Sequence, residues 1–402
     1  MKTYDFIFVL PTVPLSYGGG YKLIYLLTDQ LSKLGMNVGI LFLADSYRCV
    51  YSLNHDTALW QSIRSRKRLL ETTLNAMMCN RIGYQILRPF VRLLYTRSVP
   101  GRLETLDKVD VLFDLSSVRV KRLIATSWET AYFVNNFERA YTKYYLIQAE
   151  EDSPAFSGLL AHLARSTYSF PLHKLVNNQR LQKRFGREGS VLIHVCWYVG
   201  YGRVGSVQPA KEPNTVLIPL RKSPSKGAKY AVSAMKLIHK SDSTISFLAF
   251  GDYQGAVPSF VKIFRKPTDA KLAQLYALSE VFILPSIIEG FSSPVLEAMA
   301  AECAIVATDS GGPSMYIRNQ YNGIIVPTEN PRAIADAAIL LLHNQHLRRL
   351  MVTNGTRTAS EYTHSRTFNE FFEAIKRFEG EQTVSMRKAS GLLGHPRGEP
   401  NC

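Results

Sequence analysis

Residues 6–10 form a short apolar run that ends at Pro11, and a turn-rich stretch follows with Gly18, Gly19 and Gly20 at its end. Leu23, Ile24, Leu27, Leu31 and Leu34 then recur at helical spacing, and Gly35 suits a helix stop. Residues 38–43 are apolar again. Strands that are apolar throughout rather than alternating are buried on both faces, so this order predicts a βαβ unit in a parallel sheet. Residues 61–102 break the pattern with a long, basic, helix-like stretch, and strand signals resume at 109–113, 123–125 and 144–147.

A second βα series begins after residues 201–214, a Gly, Pro and polar stretch read as an interdomain linker. Strands are expected at 216–220, 245–250, 281–285, 304–308 and 324–326. Helices are expected at 228–239, 270–278 and 293–301, and another, opened by Asn330 and Pro331, runs to residue 342. The expectation is an α/β chain with two doubly wound domains, 1–205 and 206–364, the first completed by a helix near 365–380. Such sheets bind ligands outside the carboxyl ends of their strands, here in the cleft between the domains. Residues 381–402, polar and rich in Gly and Pro, are expected to form a disordered tail.

Length agrees: 402 residues at roughly 150 per domain allow two or three domains. With 46% hydrophobic and 20% charged residues, the chain is neither disordered nor fibrous. A net charge of +16 points to an anionic partner: nucleic acid, a phosphorylated substrate or an acidic membrane. No charge-free apolar stretch reaches the roughly 18 residues of a spanning helix, and the start of the chain lacks a signal peptide's apolar core, so a cytoplasmic protein is expected. The five cysteines, Cys49, Cys79, Cys196, Cys303 and Cys402, are odd in number and widely spaced, which suggests neither a disulfide framework nor a zinc site.

The chemistry concentrates in residues 281–313. A buried strand ends at Pro285, a loop carries Glu289, Gly290 and Phe291, and a helix opens at Ser293 and Pro294, with Ser293 as the expected N-cap. Free amides and the helix dipole there suit a diphosphate or sugar hydroxyls. Glu289 before the turn and Glu297 within the helix can face one ligand. The same pair also reads as solvated carboxylates at a helix start.

The segment EGFSSPVLE resembles the E-x7-E motif of retaining glycosyltransferases of family 4, which have the GT-B fold of two facing Rossmann-like domains. The resemblance extends over residues 216–342, through Arg221 with Lys226 and Gly227, Gly251 after a strand, LAQLYALSEVFILPS, TDSGGP and NGIIVP. It implies transfer of a sugar from a nucleotide-diphosphate donor to a hydroxyl acceptor, with retention at the anomeric carbon. Arg221 and Lys226 match the cations that neutralise the donor diphosphate, where planar and point-charge donors converge on phosphate. Glu289 matches the carboxylate at the donor sugar, and the amides around Gly290, Phe291, Ser292 and Ser293 match donor-binding groups. Glu297 matches the acceptor of the ribose hydroxyls, and Gly18, Gly19 and Gly20 the glycine loop that lets backbone approach the donor.

Three departures put sugar and base preference in doubt. Residues 125–130 (ATSWET) carry no histidine where many members have one, Arg265 stands for a usual glycine, and Ser314 or Met315 for a common glutamate. ATSWETA with YYLIQAEED is similar to a branch that includes rhamnosyltransferases of surface polysaccharides. Gln148 and Glu151 are acceptor-side candidates, with loop polars as the alternative. An inactive GT-B binding or scaffold subunit is the alternative function. No metal or other cofactor is expected: Glu150, Glu151 and Asp152 read as a solvated turn, and His343 and His346 lack ligand partners. Nor does any nucleic-acid-reading motif appear.

From Arg64 to Arg102 nine cations face one acid, Glu71, with large apolar residues interleaved. An amphipathic basic face of this kind can lie on anionic headgroups, which predicts peripheral contact with the inner face of the membrane, while the resemblance to family 4 implies a glycan or lipid-linked acceptor. A basic helix packed on its own domain is the other reading.

Overall fold

The computed structural model describes residues 1–11, 19–43, 109–112, 115, 118–152, 159–186, 189–193 and 210–391. Two sheets organise them, of seven and six strands. In the first the order is β3-β2-β1-β4-β5-β6-β7 and in the second β10-β9-β8-β11-β12-β13, and every neighbouring pair is parallel.

In the first sheet β1 spans Lys2–Leu10, β2 Val38–Phe42, β3 Asp110–Leu112, β4 Val118–Ala125, β5 Ala140–Ile147, β6 His173–Val176 and β7 Ser190–Leu192. Phe6, Ile7, Phe8, Val9 and Leu10 are all fully buried, as a central strand covered on both faces requires. β4 begins five residues before its apolar run, because Val118 and Val120 alternate there with exposed Arg119 and Lys121. β6 and β7 are short and partly polar, which hid them in the sequence.

In the second sheet β8 spans Thr215–Leu220, β9 Ser246–Gly251, β10 Val261–Arg265, β11 Val281–Leu284, β12 Ala304–Thr308 and β13 Ile324–Val326. β10 is an edge strand with exposed Lys262 and Arg265, and so lacks an apolar run. The helices used below are α1 (Gly19–Lys33), α2 (Trp128–Asn136), α3 (Leu159–Thr167), α4 (Gln179–Phe185), α5 (Ala228–Ser241), α6 (Asp269–Leu278), α7 (Ser293–Ala300), α8 (Pro331–His343), α9 (Gln345–Ser360) and α10 (His364–Gly391).

α10 returns to the first sheet. Phe371 packs 6.2 and 6.1 Å from the rings of Phe6 and Phe8, Phe378 lies 6.2 Å from Tyr144, and Arg122 pairs through two nitrogens with Glu379 at 2.6 and 2.9 Å. The helix backbone continues to Gly391, into the stretch read as a tail, since residues 381–391 contain no proline and good helix formers. Most of the expected linker, the basic stretch from Arg64 to Arg102, and Cys49, Cys79, Cys196 and Cys402 lie outside the described residues.

Strand order reverses between β1 and β4 in one sheet and between β8 and β11 in the other. At such switch points adjacent strand ends diverge into loops on opposite faces and leave a crevice. Among the described residues no helix is long and apolar enough to cross a membrane.

Candidate active site

The loops after β8 and β11 meet backbone to backbone. Gly227 has a left-handed φ of 65°, and a Cβ there would run into the Pro285 carbonyl, so only glycine serves. The amides of Ile287 and Ile288 donate to the Ser225 carbonyl at 2.8 and 3.2 Å. This clamp sets Lys226 Nζ 3.0 Å from Glu289 Oε2, while Ser286 Oγ donates to Glu289 Oε1 at 2.7 Å. The backbone of Glu289 is tied to the loop after β12, its amide to the Ser310 carbonyl at 2.9 Å and its carbonyl to the Gly312 amide at 3.1 Å. The Glu289 side chain, 12% exposed, is therefore fixed by both carboxylate oxygens and by both ends of its peptide.

Gly290 faces the first domain. Its Cα lies so close to the Gln148 carbonyl that a Cβ would overlap that oxygen. Asn177 Nδ2 donates to the same carbonyl at 2.7 Å. On the other side a Cβ on Gly20 would lie 3.0 Å from Gln148 Oε1. Gln148 thus stands between the start of α1 and the Glu289 loop. Gly19 opens α1; Gly18 lies outside the described residues.

Phe291 is buried with Tyr316 and Tyr362, ring centroids 5.4 and 5.9 Å away, so its side chain anchors the loop and only its backbone is available to a ligand. The N-cap of α7 is Ser292 and not Ser293. The expected position is off by one because Ser292 takes a left-handed conformation, φ 68° and ψ 63°, that the sequence did not signal. Pro294 consequently falls at the second helical position.

Glu297 is only 6% exposed and lies at the base of the site, rather than on a solvated helix face. Burial pushes its carboxyl up to about 7, against the nearby charge of Lys22, the Tyr276 hydrogen bond and Arg221. Tyr276 donates its hydroxyl to Oε2 at 2.9 Å. Lys22, in α1, reaches Asp269 of the second domain at 3.4 Å. Sequence reasoning missed Lys22; its place in the first turn after the glycines was the available signal. Arg221 is exposed, with its guanidinium 5.6 Å from the Phe250 ring, so Lys226 is engaged with a carboxylate while Arg221 makes no ion pair among the described residues.

A small crevice lies between the domains, lined by Glu150, Asn178 and Arg180 on one side and Ile288, Glu289, Ser310 and Gly311 on the other. Arg180 Nε pairs with Glu150 Oε1 at 2.8 Å, its side chain 66% exposed. Glu151 does not line it. Tyr145 donates to Glu151, whose amide donates to the Tyr168 oxygen at 3.0 Å, and burial raises this carboxyl to about 8. Asp152 is gripped by Arg184 at 2.7 and 2.6 Å and by Arg165 at 3.0 Å. The acidic triplet is therefore no solvated turn: one member faces the crevice, and two are tied into the fold.

At the departures, Arg265 ends β10 and donates to the Tyr253 carbonyl, and Ser314 donates to Asp309 at 2.8 Å. Where a histidine might stand, Thr130 Oγ1 accepts from the amides of Thr126 and Ser127 at 2.9 and 3.1 Å, closing the turn on itself. Among the described residues no three His, Cys, Asp or Glu side chains converge as a metal would require.

Residues 205–358 match the family model of the glycosyl transferases group 1. The chain is 27% identical over 179 residues to the uncharacterized glycosyltransferase MJ1607 of Methanocaldococcus jannaschii, covering 42% of this chain and 46% of that one. Over 91 residues it is 35% identical to the N,N'-diacetylbacillosaminyl-diphospho-undecaprenol alpha-1,3-N-acetylgalactosaminyltransferase of Campylobacter jejuni, covering 23% and 24%. The chain thus spans less than half the length of these curated relatives. Among solved structures, HepE of Anabaena in complex with UDP-glucose superposes with a TM-score of 0.65 at 14% identity, over 93% of this chain and all of that one. The two-sheet architecture is the GT-B fold, and the loops around Glu289 and Lys226 fall within the matched family region.

Proposed function

We propose that the protein is a retaining glycosyltransferase that moves a sugar from a nucleotide-diphosphate donor to a hydroxyl acceptor in glycan or glycolipid synthesis. The observation that supports this reading is the Lys226–Glu289 pair, on loops that follow β8 and β11, with Gly290 beside it lying against the Gln148 carbonyl of the first domain. A diphosphate entering there competes with Glu289 for Lys226. Its two charges draw the ammonium away, and the freed carboxylate then faces the donor sugar.

Arg221, Lys226 and the amides ahead of α7 stabilise the departing diphosphate, whose charge grows as the glycosidic bond breaks. Glu289 stabilises the positive charge that develops on the sugar, and the leaving phosphate takes the acceptor proton. Glu297 accepts from the ribose hydroxyls at the buried end. The acceptor enters by the Glu150 and Arg180 side of the crevice, while the basic stretch from Arg64 to Arg102 holds the enzyme on an anionic membrane.

The test is a thermal-shift screen against UDP, GDP, dTDP and their sugars, followed by detection of sugar release or transfer. A donor that raises Tm and is turned over is the expected result. Absence of both for every donor overturns the reading, and binding without turnover supports an inactive GT-B protein instead.

A further inference from the structure

β5 and β6 run parallel, and their last paired residues are Ile147 and Val176. One residue further on, the strands give way to Gln148 and Asn177, and a side chain takes over from the backbone ladder: Asn177 Nδ2 donates to the Gln148 carbonyl at 2.7 Å. Asn177 and Asn178 are only 4% and 5% exposed. Two adjacent buried carboxamides are costly unless their polar atoms are paired, and here they are paired in series.

The direction of that series is forced by chemistry. The Leu181 amide can only donate, and it donates to Asn178 Oδ1 at 2.8 Å as the N-cap bond of α4. The Asn178 nitrogen therefore points the other way and donates to Asn177 Oδ1 at 3.0 Å. That leaves the Asn177 nitrogen for the Gln148 carbonyl, which can only accept. Each bond polarises the next, and neither carboxamide can be flipped without breaking two of them.

The far end of the series is a contact between the domains. The Gln148 oxygen fills the place that a Cβ on Gly290 would take, beside Glu289, whose carboxylate meets Lys226. On the second-domain side the Glu289 backbone is already pinned to Ser310 and Gly312. On the first-domain side a peptide plane free to rotate would swing the oxygen toward Gly290 or away from it, and the Asn177 bond holds that plane.

Resting on the proposed transferase reading, we infer that Asn177, itself held by Asn178, is a positioning residue that fixes the Gln148 carbonyl as the stop against which the Glu289 loop seats. It acts on the reaction through Gln148 and Gly290 and not by touching substrate. Lys22 and Asp269 still tie the domains when Asn177 is changed, so its loss shifts the seating of the Glu289 loop rather than parting the domains.

Asn177→Ala and Asn177→Asp test this by hydrogen exchange with mass spectrometry and by kinetics. Residues 286–292 belong to the second domain, so a residue that served only the stability of the first would leave their exchange alone. Exchange there should quicken about twofold to tenfold in Asn177→Ala, the equivalent of one hydrogen bond, while β8 and β9 exchange as in wild type. Turnover should fall by about the same factor, with nucleoside diphosphate affinity unchanged. Asn177→Asp keeps the shape and tests the proton: its carboxylate repels the Gln148 oxygen at pH 8, whereas a carboxyl held above its usual range by burial can donate to it at pH 5. Relative to wild type, exchange at 286–292 in this variant should be fast at pH 8 and normal at pH 5, and this arm decides the matter where the alanine variant fails to fold. Wild-type exchange at 286–292 in both variants, or an Asn177→Asp protein equally fast at both pH values, overturns the positioning role. A wild-type protein that turns over no nucleotide sugar overturns the transferase reading instead, and the exchange results still decide the role of Asn177.

Discussion

The carbonyl oxygen of Gln148 occupies the space that any side chain at position 290 would need. The two residues belong to different domains, so the closed cleft depends on the absence of a Cβ. Gly290→Ala must move either the loop or the domain, and overpacking costs about 1–3 kcal/mol. The expected outcome is an opened cleft: a larger radius of gyration by X-ray scattering, with turnover down about tenfold and Tm nearly unchanged. Unaltered scattering and turnover would show that the approach is not needed for closure.

Lys226→Ala removes both the partner of Glu289 and a donor to the leaving diphosphate. Turnover should fall about a hundredfold, the scale of losing one preorganised charge-stabilising donor, with a smaller loss of nucleoside affinity. Steady-state kinetics beside nucleoside titration check this, and full activity of the variant contradicts it.

Glu297 should make nucleotide binding pH-dependent. Its carboxyl is raised to about 7 by burial, and the ionised form is the stronger acceptor for a ribose diol. Affinity should therefore rise as pH increases through 7 and be flat in Glu297→Gln. Stability runs the other way: the folded state keeps this proton while the unfolded chain loses it near 4.5. The stabilisation is complete below that value and disappears as pH rises to about 7, by roughly 3 kcal/mol at most. Calorimetric titration and urea melts across pH 4 to 8 separate the two effects, and identical pH profiles for wild type and Glu297→Gln would refute both.

Lys211 holds the base of the site from behind. Its Nζ donates to the carbonyls of Tyr276, Ser279 and Ala301 at 3.1, 2.7 and 2.6 Å, binding the C-terminal ends of α6 and α7. Lys211→Met should destabilise by about 1–3 kcal/mol through carbonyls left without a donor, read as a lower urea midpoint. An unchanged midpoint would mean that water replaces the ammonium.

The stretch from Arg64 to Arg102 should bind anionic vesicles at low salt and release them as the screening length shortens to ~3 Å at 1 M. Changing Arg88, Arg92 and Arg97 to Ser should weaken co-sedimentation. Equal binding by the variant, or none by the wild type, favours a packed structural helix and a soluble acceptor.

Much of the second domain was legible in the sequence because its strands are buried on both faces and its helices carry strong punctuation, such as Asn330 with Pro331. Glu289 stood out by its place between a buried strand and a helix start, whereas Lys226 was marked only by the resemblance to family 4. What the sequence hid was set by tertiary contact: the left-handed turn at Ser292, the burial of Glu297 beneath Tyr276, and the reach of Lys22 to Asp269. Glu150 and Glu151 could not be told apart in the sequence because adjacent carboxylates look alike in one dimension. Glu150 opens on the crevice and Glu151 turns in toward Tyr145, a difference fixed by side-chain direction alone.

Phe371 fills the space beside Phe6 and Phe8, so residues near the start of the chain wait for residues near its end. On the ribosome, the first sheet can assemble early but cannot seal its apolar face until α10 emerges, after the whole second domain has been made. The two halves are therefore not separable at residue 205. A gene split there should yield an N-terminal fragment that exposes Phe6, Phe8 and Tyr144 and aggregates, and supplying residues 364–380 as a separate peptide should restore its solubility.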